Sequence, residues 1–236
     1  MNLSTAYYSA KGGRNVNEDS VSVAECNGGA VGVVADGLGG EGFGDIASKL
    51  TVKTLIKKLA SEPVSASVLR SVISYTNKEV LSNHTDSNKM KSTVAVLYID
   101  NSKVLATHVG DTRIYQFRDS AVIYQSIDHS VSQMAVNAGE ITTDEIRGHA
   151  DRNKLLCALG TWDNPNPEVI TLSAKPGDAF LLCTDGFWEL ITESEMINFL
   201  KNSTTAETWL TQMRETVDSR VNPSSDNHTA LAILII

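Results

Sequence analysis

Cysteine, basic charge and long apolar runs are all scarce in this sequence, and each scarcity removes a class of function. The 236 residues hold three cysteines, Cys26, Cys157 and Cys183. An odd number without metal-type spacing leaves nothing to build a disulfide framework from and fits a reducing compartment. Five histidines, at positions 84, 108, 129, 149 and 228, form no HxxxH or Cys/His pairing, which sets a zinc site aside. Lys and Arg number 20 against 28 Asp and Glu, a formal net charge of −8. That balance argues against a nucleic-acid backbone or an anionic membrane as the main partner. The N-terminal MNLSTAYYSAKGG has no basic start followed by an apolar core, so no signal peptide is expected. The most apolar run, ALAILII, has seven residues, against about 20 for a membrane-spanning helix. A cytoplasmic location is therefore expected, with neither nucleic acid nor membrane as partner. No GxxxxGK[ST] phosphate loop, repeat, low-complexity tract or linker is found.

What is present is an ordinary globular composition, 42% hydrophobic, in a chain long enough to bury a substantial core. Short strand-type runs occur at LSTAYYS, DSVSVAEC, AVGVVAD, STVAVLYID, KVLATHVGD, RIYQFRD, SAVIYQSI, DAFLLCTD and HTALAILII. Several join through Asn-Ser, Gly-Asp or Arg-Asp-Ser turns, which favours antiparallel hairpins. Helical spacing of apolar residues marks Phe43 to Ala60 (Ile46, Leu50, Leu55, Leu59) and Ser65 to Asn83 (Val68, Val72, Tyr75, Val80). Shorter helices are expected near Ser130–Ala138, Glu193–Lys201 and Ala206–Ser219. Strand blocks separated by paired helices indicate an α+β layered fold and not a βαβ series. Residues 1–236 are read as one domain, with the strand-poor segment 129–167 as a flap or subdomain on the core.

The stretch GVVADGLGGEG, Gly32 to Gly42, runs from an apolar strand into a carboxylate and then into glycines. LLCTDGFWEL repeats the design at Asp185-Gly186. Asp111 sits in a Gly-Asp turn between strands, Asp226 precedes the final strand, and Glu18 and Asp19 precede another. Taken singly, each is a common turn residue. Should the strand ends meet, two carboxylates 4 Å apart would repel by about 4 kcal/mol at an effective dielectric near 20. A cluster of four would then have to be protonated or bridged by cations, and an all-oxygen donor set selects Mg²⁺ or Mn²⁺. Two such ions can activate a water between them, and Gly37 lets its carbonyl approach as a further ligand. The same glycines satisfy GxGxxG from Gly37 to Gly42, the dinucleotide-binding pattern. Its context is wrong, because Asp36 would face the pyrophosphate and a second helix follows where a strand is needed.

The ordered series GGRNVNEDS, VADGLGG, STVAV, HVGDTRIY, DHSVSQ, GDAFLLCTDG and DNHTALAIL, from about Gly13 to Ile236, resembles the motifs of the metal-dependent PPM (type 2C) serine/threonine protein phosphatases. The GEIT and HADRNKLLCALG segments resemble the bacterial branch. The resemblance implies a sandwich of two antiparallel sheets flanked by helices on both sides, with a centre of two Mn²⁺ or Mg²⁺ ions at one end and, as in many bacterial members, a weaker third. It implies that Asp36 bridges both ions, the Gly37 carbonyl binds one, Asp185 and Asp226 hold the other, and Glu18 acts through water. Asp111 corresponds to a ligand of the third metal, and Arg14 to the arginine that grips substrate phosphate. Arg14, Asp36 and Asp185 are thus the expected catalytic residues, and a metal-bridging hydroxide the expected nucleophile. The implied partner is a phosphorylated protein, a Ser/Thr kinase or its targets. A non-catalytic phosphoprotein-binding module and a hydrolase of small phosphorylated metabolites are the alternatives.

Two positions depart from the family pattern. Leu38 stands where animal members carry a histidine, which leaves the general acid unassigned, with His129 as one candidate. Ser92-Thr93 replaces the more usual Gly-Thr. His108 is expected to be a satisfied core residue, Cys183 a buried strand residue and Trp188 a helix anchor.

Overall fold

The computed structural model describes residues 2–26, 29–39, 43–61, 63–85, 89–161 and 165–236. The chain opens with β1 (Leu3–Ala10), β2 (Asp19–Cys26) and β3 (Gly29–Leu38), then α1 (Gly44–Leu59) and α2 (Ala66–Ser82). Strands β4 (Lys91–Ser92), β5 (Val94–Asp100), β6 (Val104–Val109), β7 (Arg113–Arg118) and β8 (Ala121–Gln125) follow. Next come α3 (Val131–Asn137), a 3-10 turn at Thr143–Gly148, β9 (Ile170–Leu172) and β10 (Ala179–Cys183). The chain ends in the short α4 (Asp185–Trp188), α5 (Glu193–Lys201), α6 (Ala206–Arg220) and β11 (His228–Ile235).

The strands form two antiparallel sheets. One has the order β1-β11-β10-β7-β8, the other β2-β3-β5-β6-β9, with β4 added beside the end of β3. Ala30, Val34, Leu97, Ile114, Phe180, Leu182, Leu231 and Ile233 fill the space between them. On the outer face of the second sheet, Val31, Val33, Val94 and Val96 pack on Leu55, Leu59, Leu69 and Ile73 of α1 and α2. On the outer face of the first, Tyr115, Phe117, Leu181 and Ala232 pack on Met196, Trp209, Met213 and Val217 of α5 and α6. The result is the expected α-β-β-α arrangement. It also accounts for the unbroken apolar run ALAILII: β11 is buried along its whole length, alternate side chains facing the other sheet and the helices.

Local chemistry sets the element limits. Ser65 caps α2 by accepting from the Val68 N–H, and Thr192 and Glu195 form a reciprocal capping box at α5. Asp119 and Ser120 both take positive φ, 49° and 63°, the geometry of a two-residue hairpin turn between β7 and β8. Two helix-marking residues point outward: Ile46 and Tyr75 are exposed, while Ala47, Thr51, Ile73 and Thr76 take the inner face. The sequence run at STVAVLYID divides at Thr93 into β4 and β5. Among the described residues, no helix is long and apolar enough to cross a membrane.

Candidate active site

Strand register brings the carboxylates together. Asp19, at the start of β2, is the cross-strand partner of Asp36 near the end of β3. Cys183, the last residue of β10, pairs with both Ala230 near the start of β11 and Arg113 at the start of β7. Asp185 just after β10, Asp226 just before β11 and Asp111 just before β7 therefore emerge at one end of the first sheet. That end faces the Asp19–Asp36 end of the second. A cavity of about 270 Å³ between them is lined by Arg14, Glu18, Asp36, Gly37, Asp111, Asp185 and Asp226, all seven residues expected at the site. Leu38, Gly39, Asn153, Leu155 and Asn227 complete its wall. Gly40, Glu41 and Gly42 of the glycine-rich stretch lie outside the described residues.

Each functional side chain is held by its backbone neighbours. The Asp36 N–H donates to Thr93 Oγ1 (3.0 Å), and its carbonyl accepts from the Thr93 N–H (2.8 Å) and Ser92 Oγ (3.0 Å). The departure at Ser92 thus adds a second hydroxyl to that of Thr93 in fixing Asp36. Asp185 starts α4, and one carboxylate oxygen accepts from the Gly186 N–H at 2.7 Å. Asp226 accepts from the Asn227 N–H (2.8 Å) and from Arg14 Nη2 (2.7 Å). Glu18 Oε1 accepts from the Gly44 N–H at 3.1 Å, which ties it to the start of α1. At Gly37 a Cβ would stand 1.9 Å from the Gly44 carbonyl oxygen, and at Gly186 2.1 Å from that of Asn227. Only glycine allows these approaches.

The electrostatics report a concentration of negative charge with too little to balance it. Burial, then the charges of Asp19, Asp185, Asp111 and Asp226, push the Asp36 carboxyl well above the carboxylate range. Asp185 is driven the same way by burial and then by Asp111, Asp226 and Glu189. Asp111 rises to about 7, through burial and then Asp128. Asp19 also rises to about 7, chiefly through burial, although hydrogen bonds including that from Thr184 oppose it. Its Oδ2 accepts from Thr184 Oγ1 at 2.9 Å, whereas its buried Oδ1 has no partner. Repulsion, an orphaned buried oxygen and an all-oxygen donor set together suit hard divalent cations. Among the described residues, no three acidic, histidine or cysteine side chains converge on one point at ligand distance. Asp226 is turned onto Arg14, and Glu18 onto Gly44.

The remaining expectations separate cleanly. His129 stacks on His108 at 4.6 Å, accepts from the Gly110 N–H, and lines a different depression from the carboxylates. Burial and then His108 hold it down to about 4. His108 is half-buried, with Nε2 2.9 Å from the Ile127 carbonyl. Trp188 is an anchor: its indole N–H donates to the Asp111 carbonyl (3.0 Å), and the Arg113 guanidinium lies 3.6 Å above its ring. Cys183 is fully buried in β10, with its thiol pushed up by burial.

Sequence reasoning missed the residues that hold the others. Asn227 Oδ1 accepts from the Glu18 N–H (2.8 Å), and its Nδ2 donates to the Lys11 and Val16 carbonyls. It therefore clamps the loop carrying Arg14 and Glu18 against Asp226. The Asn beside the Asp in DNHT was the only signal. Asn153 and Leu155 reach the cavity from the segment 129–167, of which 162–164 lie outside the described residues. No periodicity marks them.

Known proteins with this architecture carry the same chemistry in their names. The serine/threonine phosphatase stp of Listeria monocytogenes is 29% identical over 233 residues, covering 93% of this chain and 90% of that protein. The serine/threonine protein phosphatase PstP of Mycobacterium tuberculosis is 27% identical, over 85% of this chain and 40% of its own length. Its crystal structure superposes with a TM-score of 0.88 at 26% identity, covering 100% of this chain and 99% of that one. A structure of the PstP catalytic domain with two manganese ions gives 0.85 at 26% identity, over 99% and 98%. The family model described as Protein phosphatase 2C matches residues 9–228. With that model spanning residues 9–228 and the fold superposing along the whole chain, the chain belongs to the protein phosphatase 2C family.

Proposed function

We infer that this protein is a metal-dependent phosphatase that hydrolyses phosphoserine and phosphothreonine in proteins. The observation that carries the reading is the convergence of Asp36, Asp111, Asp185, Asp226 and Glu18 on one cavity that also holds Arg14. Among its described lining residues there is no cysteine, serine or histidine.

Asp36, Asp185, Asp226, the Gly37 carbonyl and, through water, Glu18 are the proposed holders of two Mn²⁺ or Mg²⁺ ions, with Asp111 toward a third. When bound, the ions lower the pKa of water and place positive charge beside the phosphoryl oxygens. Arg14 grips the phosphate: its planar guanidinium matches two phosphate oxygens. At 54% side-chain exposure, Arg14 can turn between Asp226 and an incoming phosphate. Asn227 positions the loop that carries Arg14. The chemistry of that cavity suits a phosphoprotein whose modified residue enters from solvent, and opposition to a Ser/Thr kinase follows. The three cysteines are free and suit the cytoplasm. We further propose that residues 1–236 act as one catalytic unit, with 129–167 as a flap beside the cavity. In support, Arg147 and Arg152 from that segment pair with Glu193 and Glu189.

The test is phosphate release from a phosphothreonine peptide with Mn²⁺, with EDTA, and with Asp185→Asn. Release that requires Mn²⁺ and falls by at least about a hundredfold in Asp185→Asn is the expected result. Equal release in EDTA would sink the reading.

A further inference from the structure

Three of the nine exposed large hydrophobic side chains among the described residues gather in one groove near the cavity. Ile127, Met134 and Leu156 are 63%, 55% and 45% exposed, and all three line a groove of about 480 Å³. Val109 and Cys157 also line it, and Gln133 and Asn137, hydrogen-bonded to each other, lie on its polar rim. Scattered exposed hydrophobes are ordinary, but a concave group of them marks a binding surface.

The groove and the carboxylate cavity share no lining residue but adjoin along two stretches of chain. Leu155 lines the cavity and the next residue, Leu156, lines the groove. Val109 lines the groove and Asp111, two residues on, lines the cavity. Neighbouring Cα atoms are about 3.8 Å apart, so roughly two to four residues of extended peptide span from one to the other. A phosphorylated side chain that enters the cavity leaves its own backbone at the mouth, and the flanking residues must cross the adjoining surface.

We propose that this groove is a docking site for an apolar side chain of the phosphoprotein substrate, two to four residues from the phosphorylated one. This specificity role rests on the phosphatase reading above. The groove takes a Leu-, Ile- or Met-sized group, and methionine at position 134 adapts to differing shapes. Preference for such a residue would separate substrates that present the same phosphate to the same acids.

The experiment uses the intact protein with Mn²⁺ and phosphothreonine peptides carrying either leucine or serine at each flanking position from two to four residues away. At one or more positions on one side, leucine is expected to raise kcat/KM by roughly tenfold or more. Met134→Glu is expected to collapse that leucine-to-serine ratio toward one, and Met134→Leu to retain it. Robust turnover with a ratio near one at every position would overturn the proposal. So would a ratio that Met134→Glu leaves intact. Light scattering checks the competing occupant: a dimer that Met134→Glu dissociates, with the ratio unchanged, would assign the groove to a second copy and overturn substrate docking. Absence of Mn²⁺-dependent turnover on every peptide would instead remove the phosphatase reading, and the docking role with it.

Discussion

At the scale of single residues, the site depends as much on side chains that never meet the phosphate as on those that do. Asn227, 4% exposed, satisfies three backbone groups of the loop that carries Arg14 and Glu18. Asn227→Ala would leave the Glu18 N–H and two carbonyls without their partner. The expected cost is about 1–3 kcal/mol, read as a shift in the urea midpoint. The same variant should need more Mn²⁺ for half-maximal binding by calorimetry, because Glu18 and Asp226 would lose their common brace. An unchanged midpoint and an unchanged Mn²⁺ affinity would contradict the clamp. Gly37 and Gly186 show the complementary device, in which a missing side chain lets two backbones approach where a Cβ would collide.

Between elements, one tie is a buried ion pair. Arg113 on β7 donates through Nε and Nη2 to both oxygens of Asp128, at 2.9 and 2.7 Å, with both side chains 2% exposed. The Trp188 ring closes the other face of the guanidinium, and its N–H holds the Asp111 carbonyl. One cluster thus joins β7, α4 and the segment after β8 to the rim of the site. Asp128→Ala strands a buried charge and is expected to cost about 3–5 kcal/mol. Replacing both partners with apolar residues, Arg113→Met with Asp128→Leu, should recover most of that loss, since neither desolvated charge remains. A double-mutant cycle in urea checks this, and equal losses in the single and double variants would refute it.

For the whole molecule, the acid cluster sets the response to pH when no metal is bound. Asp19 and Asp111 are raised to about 7, and Asp36 and Asp185 are raised well above the carboxylate range by burial and by the charges of neighbouring acids. In the unfolded chain, aspartates release their protons near pH 4. Between there and the folded values the native state binds more protons than the unfolded one, so its stability falls as pH rises. In EDTA the melting temperature should therefore be higher at pH 5.5 than at pH 8. Mn²⁺ should restore it at pH 8 by supplying the missing positive charge. Asp36→Asn should melt higher than the unaltered protein in EDTA at pH 8, yet gain less from Mn²⁺. A flat or rising profile in EDTA would show that the acids are not repelling one another as the geometry implies. The Asp36→Asn comparison also separates a destabilising functional cluster from a structural one.

The sequence by itself determined the layered α+β class, the existence of most elements and the identity of the acids. These depend on short-range rules that operate within a few residues. Alternation marks strands and three-to-four spacing marks helices. N-capping residues such as Ser65 and Thr192 start helices, and Asp-Gly marks where a strand must turn. Only the tertiary structure decided that Asp36, Asp111, Asp185 and Asp226 share one cavity. That depends on the pairing Asp19↔Asp36 and on Cys183 meeting both Arg113 and Ala230, across separations no local pattern encodes. The same holds for Asn227 and for the Arg113–Asp128–Trp188 cluster, whose partners are distant in sequence and whose residue types are unremarkable singly. Which face of a helix is buried was likewise settled by packing, with small or polar Ala47 and Thr76 inside and Ile46 and Tyr75 outside. Space between packed layers selects side chains by size as well as polarity, and that space exists only once the sheets and helices have closed on one another.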